Sequence, residues 1–248
     1  MRRIFSILFV FVFACTGCNA QVRHYKIKVT AEYPHDVNAY TQGLFFHDGV
    51  LYETTGQYGE SSIRMVDLES GKAVQNKKLQ RKYFGEGSTV LDGVLYVLTW
   101  TNHVAFRYDA STLTYKSSVS YPREGWGITT DGKKLYASDG SSTIYIMDRD
   151  LKVNGRLRVT RDGIPVNLLN ELEWIDGKIW ANVYTRDIIV IIDPSSGKVV
   201  ADIDCRGLLP ASLRTKDTDV LNGIAVDKDG NIYLTGKNWP KLYKVVLK

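Results

Sequence analysis

Five Asp-Gly pairs, each set between two short apolar runs, constrain this chain more than any other feature. They fall at Asp48-Gly49, Asp92-Gly93, Asp131-Gly132, Asp176-Gly177 and Asp229-Gly230, and each is preceded by a related segment beginning at Gln42, Glu86, Trp126, Asn170 or Asn222. Tight primed turns need positive φ at their centre, so Asp-Gly between apolar runs is a hairpin signal. Recurrence at a spacing of 40 to 52 residues makes the hairpin the opening of a repeated unit.

After each turn comes a second run of one type: Val50-Leu51-Tyr52, Val94-Leu95-Tyr96, Lys134-Leu135-Tyr136, Lys178-Ile179-Trp180 and Asn231-Ile232-Tyr233. Branched and aromatic residues of this kind suit a half-buried pleated strand. Third strands are expected at 63–66, 104–108, 143–147, 188–192 and 241–245, and fourth strands at 73–79, 115–120, 156–159 and 199–204. The fifth copy ends at Lys248 with no room for a fourth strand, whereas Tyr25-Lys26-Ile27-Lys28-Val29 alternates ahead of the first copy. The expected fold is therefore all-β: a five-bladed β-propeller over residues 22–248, four antiparallel strands per blade, with the N-terminal strand closing the last blade and removing a sheet edge. The longest irregular stretches, 160–168 and 206–221, are expected as loops on the rim that carries function.

Residues 1–20 read as an address rather than as structure. Arg2 and Arg3 precede an apolar run from Ile4 to Ala14 and then Cys15-Thr16-Gly17-Cys18, the layout of a secretory signal and too short a run for a spanning helix. Thr-Gly-Cys resembles a bacterial lipobox, which would make Cys18 the lipidated first residue of an exported, periplasmic protein held to a bacterial membrane only by its anchor. Ordinary cleavage after Ala20, leaving Gln21 first, is the alternative. Cys205 is then alone, so no intramolecular disulfide is expected, and its alternating apolar context suits a small buried side chain. The formal charge of +5 falls to +3 without Arg2 and Arg3, too little to suggest nucleic-acid binding. Nothing points beyond a monomer.

The start of the first strand and the end of the second lie side by side in a hairpin, so two phases of the repeat converge on one face. The first holds Gln42, Glu86, Trp126, Asn170 and Asn222; the second holds Gly56, Trp100, Gly140, Tyr184 and Lys237. These positions vary in type and are mostly polar or aromatic while the rest of the repeat is conservative, which marks a site built on a repeat. Glu86, between two glycines and grouped with Trp100 and Trp126, suits a general acid or base, because apolar surroundings raise a carboxyl pKa toward neutrality. For Asn222 an alternative is that its amide only satisfies backbone groups. His24, His35, His47 and His103 show no ligand spacing, and Glu86 is the single carboxylate in phase; alternation turns Glu171 and Glu173 away from Asn170. No cofactor is expected for the chemistry, with room left for a structural divalent cation in the channel.

Long strings across all five units resemble the plant and bacterial propeller type of glutaminyl-peptide cyclotransferase: Tyr40-Thr41-Gln42-Gly43-Leu44, Tyr83-Phe84-Gly85-Glu86-Gly87, Gly125-Trp126-Gly127, Leu169-Asn170-Glu171-Leu172-Glu173, Val220-Leu221-Asn222-Gly223-Ile224-Ala225 and Thr235-Gly236-Lys237-Asn238-Trp239-Pro240. The resemblance implies cyclisation of an N-terminal glutamine of peptides and proteins to pyroglutamate with release of ammonia. It implies Glu86 as general acid/base; Gln42, Asn170 and Lys237 as the residues that orient the substrate amide and stabilise an oxyanion; and Trp100, Trp126 and Phe84 as walls. It also implies tryptophan at 184 and phenylalanine at 40, where this sequence has Tyr184 and Tyr40, whose hydroxyls need partners if buried. Two rival readings follow from the same residues: a non-catalytic periplasmic propeller that binds peptide N-termini or sugars, and a lactonase-type hydrolase with a channel cation, which the shortage of channel carboxylates disfavours.

Overall fold

Asp48, Asp92 and Asp176 take φ of 49°, 51° and 48°, each followed by a glycine near 75°, so three of the five hairpins close through two-residue primed turns. The other two are longer. At Asp131 and Asp227 the carboxylate caps the turn instead, accepting the amides of Lys133 and Lys134 in one case and of Asp229 and Asn231 in the other.

In a computed structural model, which describes residues 21–248, the chain is all-β. The segment expected as a signal, residues 1–20, and Cys18 within it lie outside the described residues. The N-terminal strand β1 (Arg23–Pro34) is followed by a sheet of β2 (Thr41–His47), β3 (Val50–Thr55), β4 (Ser62–Asp67) and β5 (Lys72–Lys78). A second sheet holds β6 (Gly85–Leu91), β7 (Val94–Thr99), β8 (Val104–Asp109) and β9 (Tyr115–Ser120). A third holds β10 (Ile128–Thr130), β11 (Leu135–Ser138), β12 (Thr143–Met147) and β13 (Val153–Arg158), and a two-stranded ribbon of β14 (Thr160–Arg161) and β15 (Ile164–Pro165) follows. The remaining strands, β16 (Leu169–Ile175), β17 (Lys178–Val183), β18 (Ile188–Ile192), β19 (Val199–Asp204), β20 (Leu221–Val226), β21 (Ile232–Gly236) and β22 (Lys241–Leu247), join β1 in one eight-stranded sheet ordered β16-β17-β18-β19-β1-β22-β21-β20.

The N-terminal strand is longer than expected and has two partners. Ile27 to Pro34 pair antiparallel with β22, as the missing last strand should, but Arg23 to Lys26 pair parallel with β19. A register shift between Val29 and Ala31 marks the irregularity in the antiparallel part. The ribbon and a short 3-10 turn at Ala211–Leu213 occupy the two long connections. The first strands β2, β6, β10, β16 and β20 touch one another in a closed order, so their starts surround one common space.

Apolar side chains fill the layers between neighbouring sheets. Phe45, Tyr52, Ile63, Val90, Leu95 and Val97 pack the first sheet on the second, and Tyr96, Leu98, Ile128, Leu135 and Met147 pack the second on the third. Cys205 is buried with Trp239 and Leu234 in a cluster within the eight-stranded sheet, and burial pushes its thiol up to about 12.

One buried polar cluster ties the segment before β2 to the loop before β22. His35 Nδ1 donates to the Trp239 carbonyl at 2.7 Å and its Nε2 faces Glu53 Oε1 at 2.9 Å, so both ring nitrogens act as donors and the ring is an imidazolium. Thr41 donates to the same Glu53 oxygen at 2.7 Å, and Arg64 stands 3.7 Å from the other while pairing with Asp36 at 2.8 Å. Burial by itself would strip His35 of its proton; the Glu53 charge and hydrogen bond, with Trp239 and Asp36, outweigh it and hold the pKa above 6.5. For Glu53, burial is outweighed by His35, Arg64 and Thr41, and the carboxyl stays below 4.5.

The folded-state pKa of His35 is raised, so its contribution to stability is complete below the ordinary imidazole range and is lost as pH rises through the raised value. Glu53 is depressed, so its contribution is lost as pH falls through the lowered value. Urea unfolding of Glu53→Gln is expected to show a loss of about 3 kcal/mol near neutral pH, as for a buried pair deprived of one partner, and His35→Gln should flatten the alkaline decline expected of the wild type.

Candidate active site

Each sequence-predicted position sits where a first strand begins or a second strand ends, and a recurring hydrogen bond clamps the two together. Gly56, Trp100, Tyr184 and Lys237 donate their amides to the carbonyls of Tyr40, Phe84, Leu168 and Val220 at 2.8 to 3.1 Å. The ladder is irregular at the same places. Register shifts lie between Thr41 and Gly43, Gly85 and Ser88, Leu169 and Leu172, and Leu221 and Ile224, so Gln42, Glu86, Asn170 and Asn222 all fall at bulges. A bulge frees a residue from strict alternation and re-aims its side chain.

The result is a cavity of about 310 Å³ lined by Tyr40, Gln42, Gln57, Phe84, Glu86, Trp100, Trp126, Asn170, Tyr184 and Lys237. Ligand sites commonly run from roughly 300 to 1,000 Å³, so the space suits one side chain and its backbone rather than a large molecule. Nine of the ten predicted catalytic and substrate-binding residues line it. The tenth, Asn222, does not: fully buried, it donates to the Thr41 carbonyl at 2.9 Å and contacts Gln42 Oε1 at 3.4 Å. It holds Gln42 from behind.

Gln42 in turn donates to Glu86 Oε1 at 3.0 Å, so an amide chain running from Asn222 fixes one carboxyl oxygen. Glu86 is 4% exposed. Burial drives its pKa well above 4.5; the Lys237 charge pulls it back and Glu124 adds to the rise. Lys237, 3% exposed, is shifted the other way by burial, against Glu86 and Asp219. Its ammonium lies over the faces of Tyr40 and Tyr184, 4.6 and 5.1 Å from the ring centroids. Asn170 Oδ1 is buried and has no partner among the described residues, leaving an acceptor for a bound molecule to fill.

The aromatic walls are mutually braced. Trp126 meets Tyr184 edge-on at 5.6 Å, and Phe84 meets Trp100 at 5.6 Å and Tyr40 at 6.2 Å. Tyr40 finds the partner its hydroxyl requires in Asp219, at 2.9 Å; burial and that carboxylate raise the phenol well above 10. Trp100 is 37% exposed and forms the outer lip.

Sequence reasoning missed three contributors. Gln57 lines the cavity with φ of 86°, one residue beyond a predicted position. Asp219 anchors Tyr40. Glu124 Oε2 accepts the indole N–H of both Trp100 and Trp126, at 2.8 and 3.0 Å. Its signal is present in the repeat: Tyr40, Phe84 and Glu124 each stand two residues before the first-strand position.

Glu171 and Glu173 turn away from the cavity. Their carboxylates accept backbone amides of Leu44, Ile224 and Val226, and Thr129 donates to Glu173. Burial pushes Glu173 up to about 8. Among the described residues no group of three or more His, Cys, Asp or Glu side chains is gathered as a metal site.

Gly140 bears directly on the wall. It has φ of +79°, and a Cβ there would stand 2.6 Å from Trp126 Cζ2. Gly140→Ala is therefore strained in its backbone and displaces the indole, so lowered thermal stability and altered tryptophan emission are expected together; unchanged emission would contradict this placement of Trp126.

Over residues 4–247 the chain matches the glutamine cyclotransferase family. It is 44% identical over 231 residues to the glutaminyl-peptide cyclotransferase of Arabidopsis thaliana, covering 90% of this chain and 72% of the plant protein. It superposes on the crystal structure of Myxococcus xanthus glutaminyl cyclase with a TM-score of 0.86 at 35% identity, covering 92% of this chain and 99% of the other. A likeness of fold alone, at 11% identity and a TM-score of 0.50, extends to the WD40 β-propeller domain of Doa1, over 82% of this chain and 62% of that one. With a family match across nearly its whole length, this chain belongs to the glutamine cyclotransferase family.

Proposed function

We propose that this protein cyclises the N-terminal glutamine of peptides and proteins to pyroglutamate, releasing ammonia, and that Glu86 carries the proton. The observation that carries the reading is a deeply buried carboxyl, pinned by Gln42 and facing Lys237, at the base of an aromatic cavity of single-residue size. The α-amine and the γ-amide carbon belong to one residue, so confinement brings the nucleophile to its target at high effective molarity and no enzyme nucleophile is needed.

In the first step the neutral α-amine nitrogen bonds to the γ-carbonyl carbon and the carbonyl electrons move to oxygen. Lys237 stabilises that oxyanion. Glu86 as carboxylate takes the proton the amine nitrogen sheds and returns it to the amide nitrogen; the C–N bond breaks, ammonia leaves, and the lactam carbonyl re-forms. A carboxyl raised toward neutral pH suits both transfers, and the substrate amine, with an ordinary pKa of about 8, is partly neutral in the same range. Asn170 Oδ1 accepts an N–H of the amine and orients it. Trp100, Trp126, Phe84, Tyr184 and Tyr40 wall the side chain and exclude water.

We read residues 22–248 as one five-bladed propeller. Support comes from the cyclic contact order of the five first strands, from the change of partner along β1 that divides the eight-stranded sheet into two four-stranded units, and from the likeness to a propeller domain. Export through residues 1–20, lipid anchorage at Cys18 and a monomeric state complete the proposal.

Incubation with a short Gln-initiated peptide should release ammonia in equal amount to pyroglutamyl product, with chelator present or absent. Glu86→Gln, nearly isosteric, is expected to lose about a hundredfold or more in kcat while still binding the peptide. Absence of product from the wild type across several peptides would favour a binding protein.

A further inference from the structure

We propose that Glu124 is a positioning residue that sets both tryptophan walls of the cavity through one oxygen, so that the two indoles move as a unit. Trp100 comes from the end of β7 and Trp126 from the segment before β10, in different sheets, yet both N–H groups converge on Glu124 Oε2. An indole nitrogen has one donor and no alternative, and a carboxylate oxygen has two lone pairs, so one atom satisfies both rings. Hydrogen bonds to an ionised acceptor are stronger than neutral ones.

The backbone beside this carboxylate is itself held. The next residue, Gly125, donates its amide to the carbonyls of Thr99 and Trp100 at 3.0 and 3.4 Å, which ties the chain at Glu124 to the end of β7. The preceding side chain, Arg123, is spent on the rings of Tyr121 and Tyr145, 4.8 and 4.5 Å from their centroids. A mispositioned tether would let Trp100, the partly exposed lip, swing away from Phe84 and open the cavity to water. The Glu124 charge also bears on Glu86, with Lys237 opposing it, Tyr40 near Glu86, and Asp219 acting on Lys237.

Two arms test this, and only the second rests on the proposed cyclase activity. In the free protein, amide-correlation NMR of the indole N–H groups should show the Trp100 and Trp126 resonances shifting together in Glu124→Ala, with smaller shifts in Glu124→Gln, whose amide oxygen still accepts. With Gln-initiated peptide, Glu124→Ala should raise KM about tenfold, as expected for loss of charged hydrogen bonds, more than it lowers kcat. Glu124→Gln should restore KM to within about twofold and move the acid limb of kcat/KM to lower pH, because a charge that raises Glu86 is gone. If Glu124→Ala does not fold, the indole shifts and pH profile of Glu124→Gln decide alone. Indole resonances that stay put, or that move singly, overturn the proposal, as does a glutamine variant that leaves the acid limb unmoved. An inactive wild type with paired indole shifts would count against the cyclase reading and not against the tether.

Discussion

Close approach of the first strands around their common space is the constraint on which the rest depends. Backbone meets backbone there: the Gly87 amide donates to the Trp126 carbonyl at 2.7 Å, and a Cβ on Gly127 would collide with the Asn170 carbonyl. Hydrogen bonds sew the remaining junctions at the same level. Thr54 bonds Ser88, Ser138 bridges Gly127 and the Asn170 carbonyl, Asn182 accepts from Gly223, and Asn222 donates to Thr41. Where the fourth unit has Glu171 instead of glycine, its carboxylate spans the space to the amides of Leu44 and Ile224. Strand starts fixed this tightly give the side chains one residue before them a rigid frame.

That frame lets burial set the protonation balance of the groups it holds. Glu86 and Lys237 are opposite in charge, yet burial shifts each toward its neutral form, and neither gains the close ion pair that would cancel the effect. Proton affinity is thereby set by desolvation, with Gln42 fixing the geometry and Glu124 and Lys237 trimming the balance. A surface carboxylate with the same neighbours would be screened and would keep an ordinary pKa.

Much of this was legible in the sequence because hairpins are local and repeats reinforce one another. Asp-Gly turns located the strand pairs, and phase alone gathered Gln42, Glu86, Trp100, Trp126, Asn170, Tyr184 and Lys237 to one face. What escaped depends on contacts across the chain. The parallel pairing of Arg23 to Lys26 with β19 joins residues some 180 apart, and the His35–Glu53–Trp239 cluster joins a loop, a strand and a turn that no periodicity relates. Asn222 shared the right phase, but its bulge aims it at Gln42 instead of the cavity. Glu124 was hidden because, at its phase, only Tyr40 and Phe84 resemble wall residues; a carboxylate there acts on neighbouring indoles.

The central claim, that a buried Glu86 holds its proton into the range where it can shuttle, is most directly tested by titrating that carboxyl. Side-chain carbon NMR of protein labelled at glutamate, wild type against Glu86→Gln, should reveal one resonance, missing in the variant, whose midpoint lies well above the ordinary carboxyl value of 4.5 and falls further when Glu124 is made neutral. A Glu86 midpoint at or below 4.5 would contradict the account, since a carboxyl that gives up its proton so readily could not return it to a leaving amide near neutral pH.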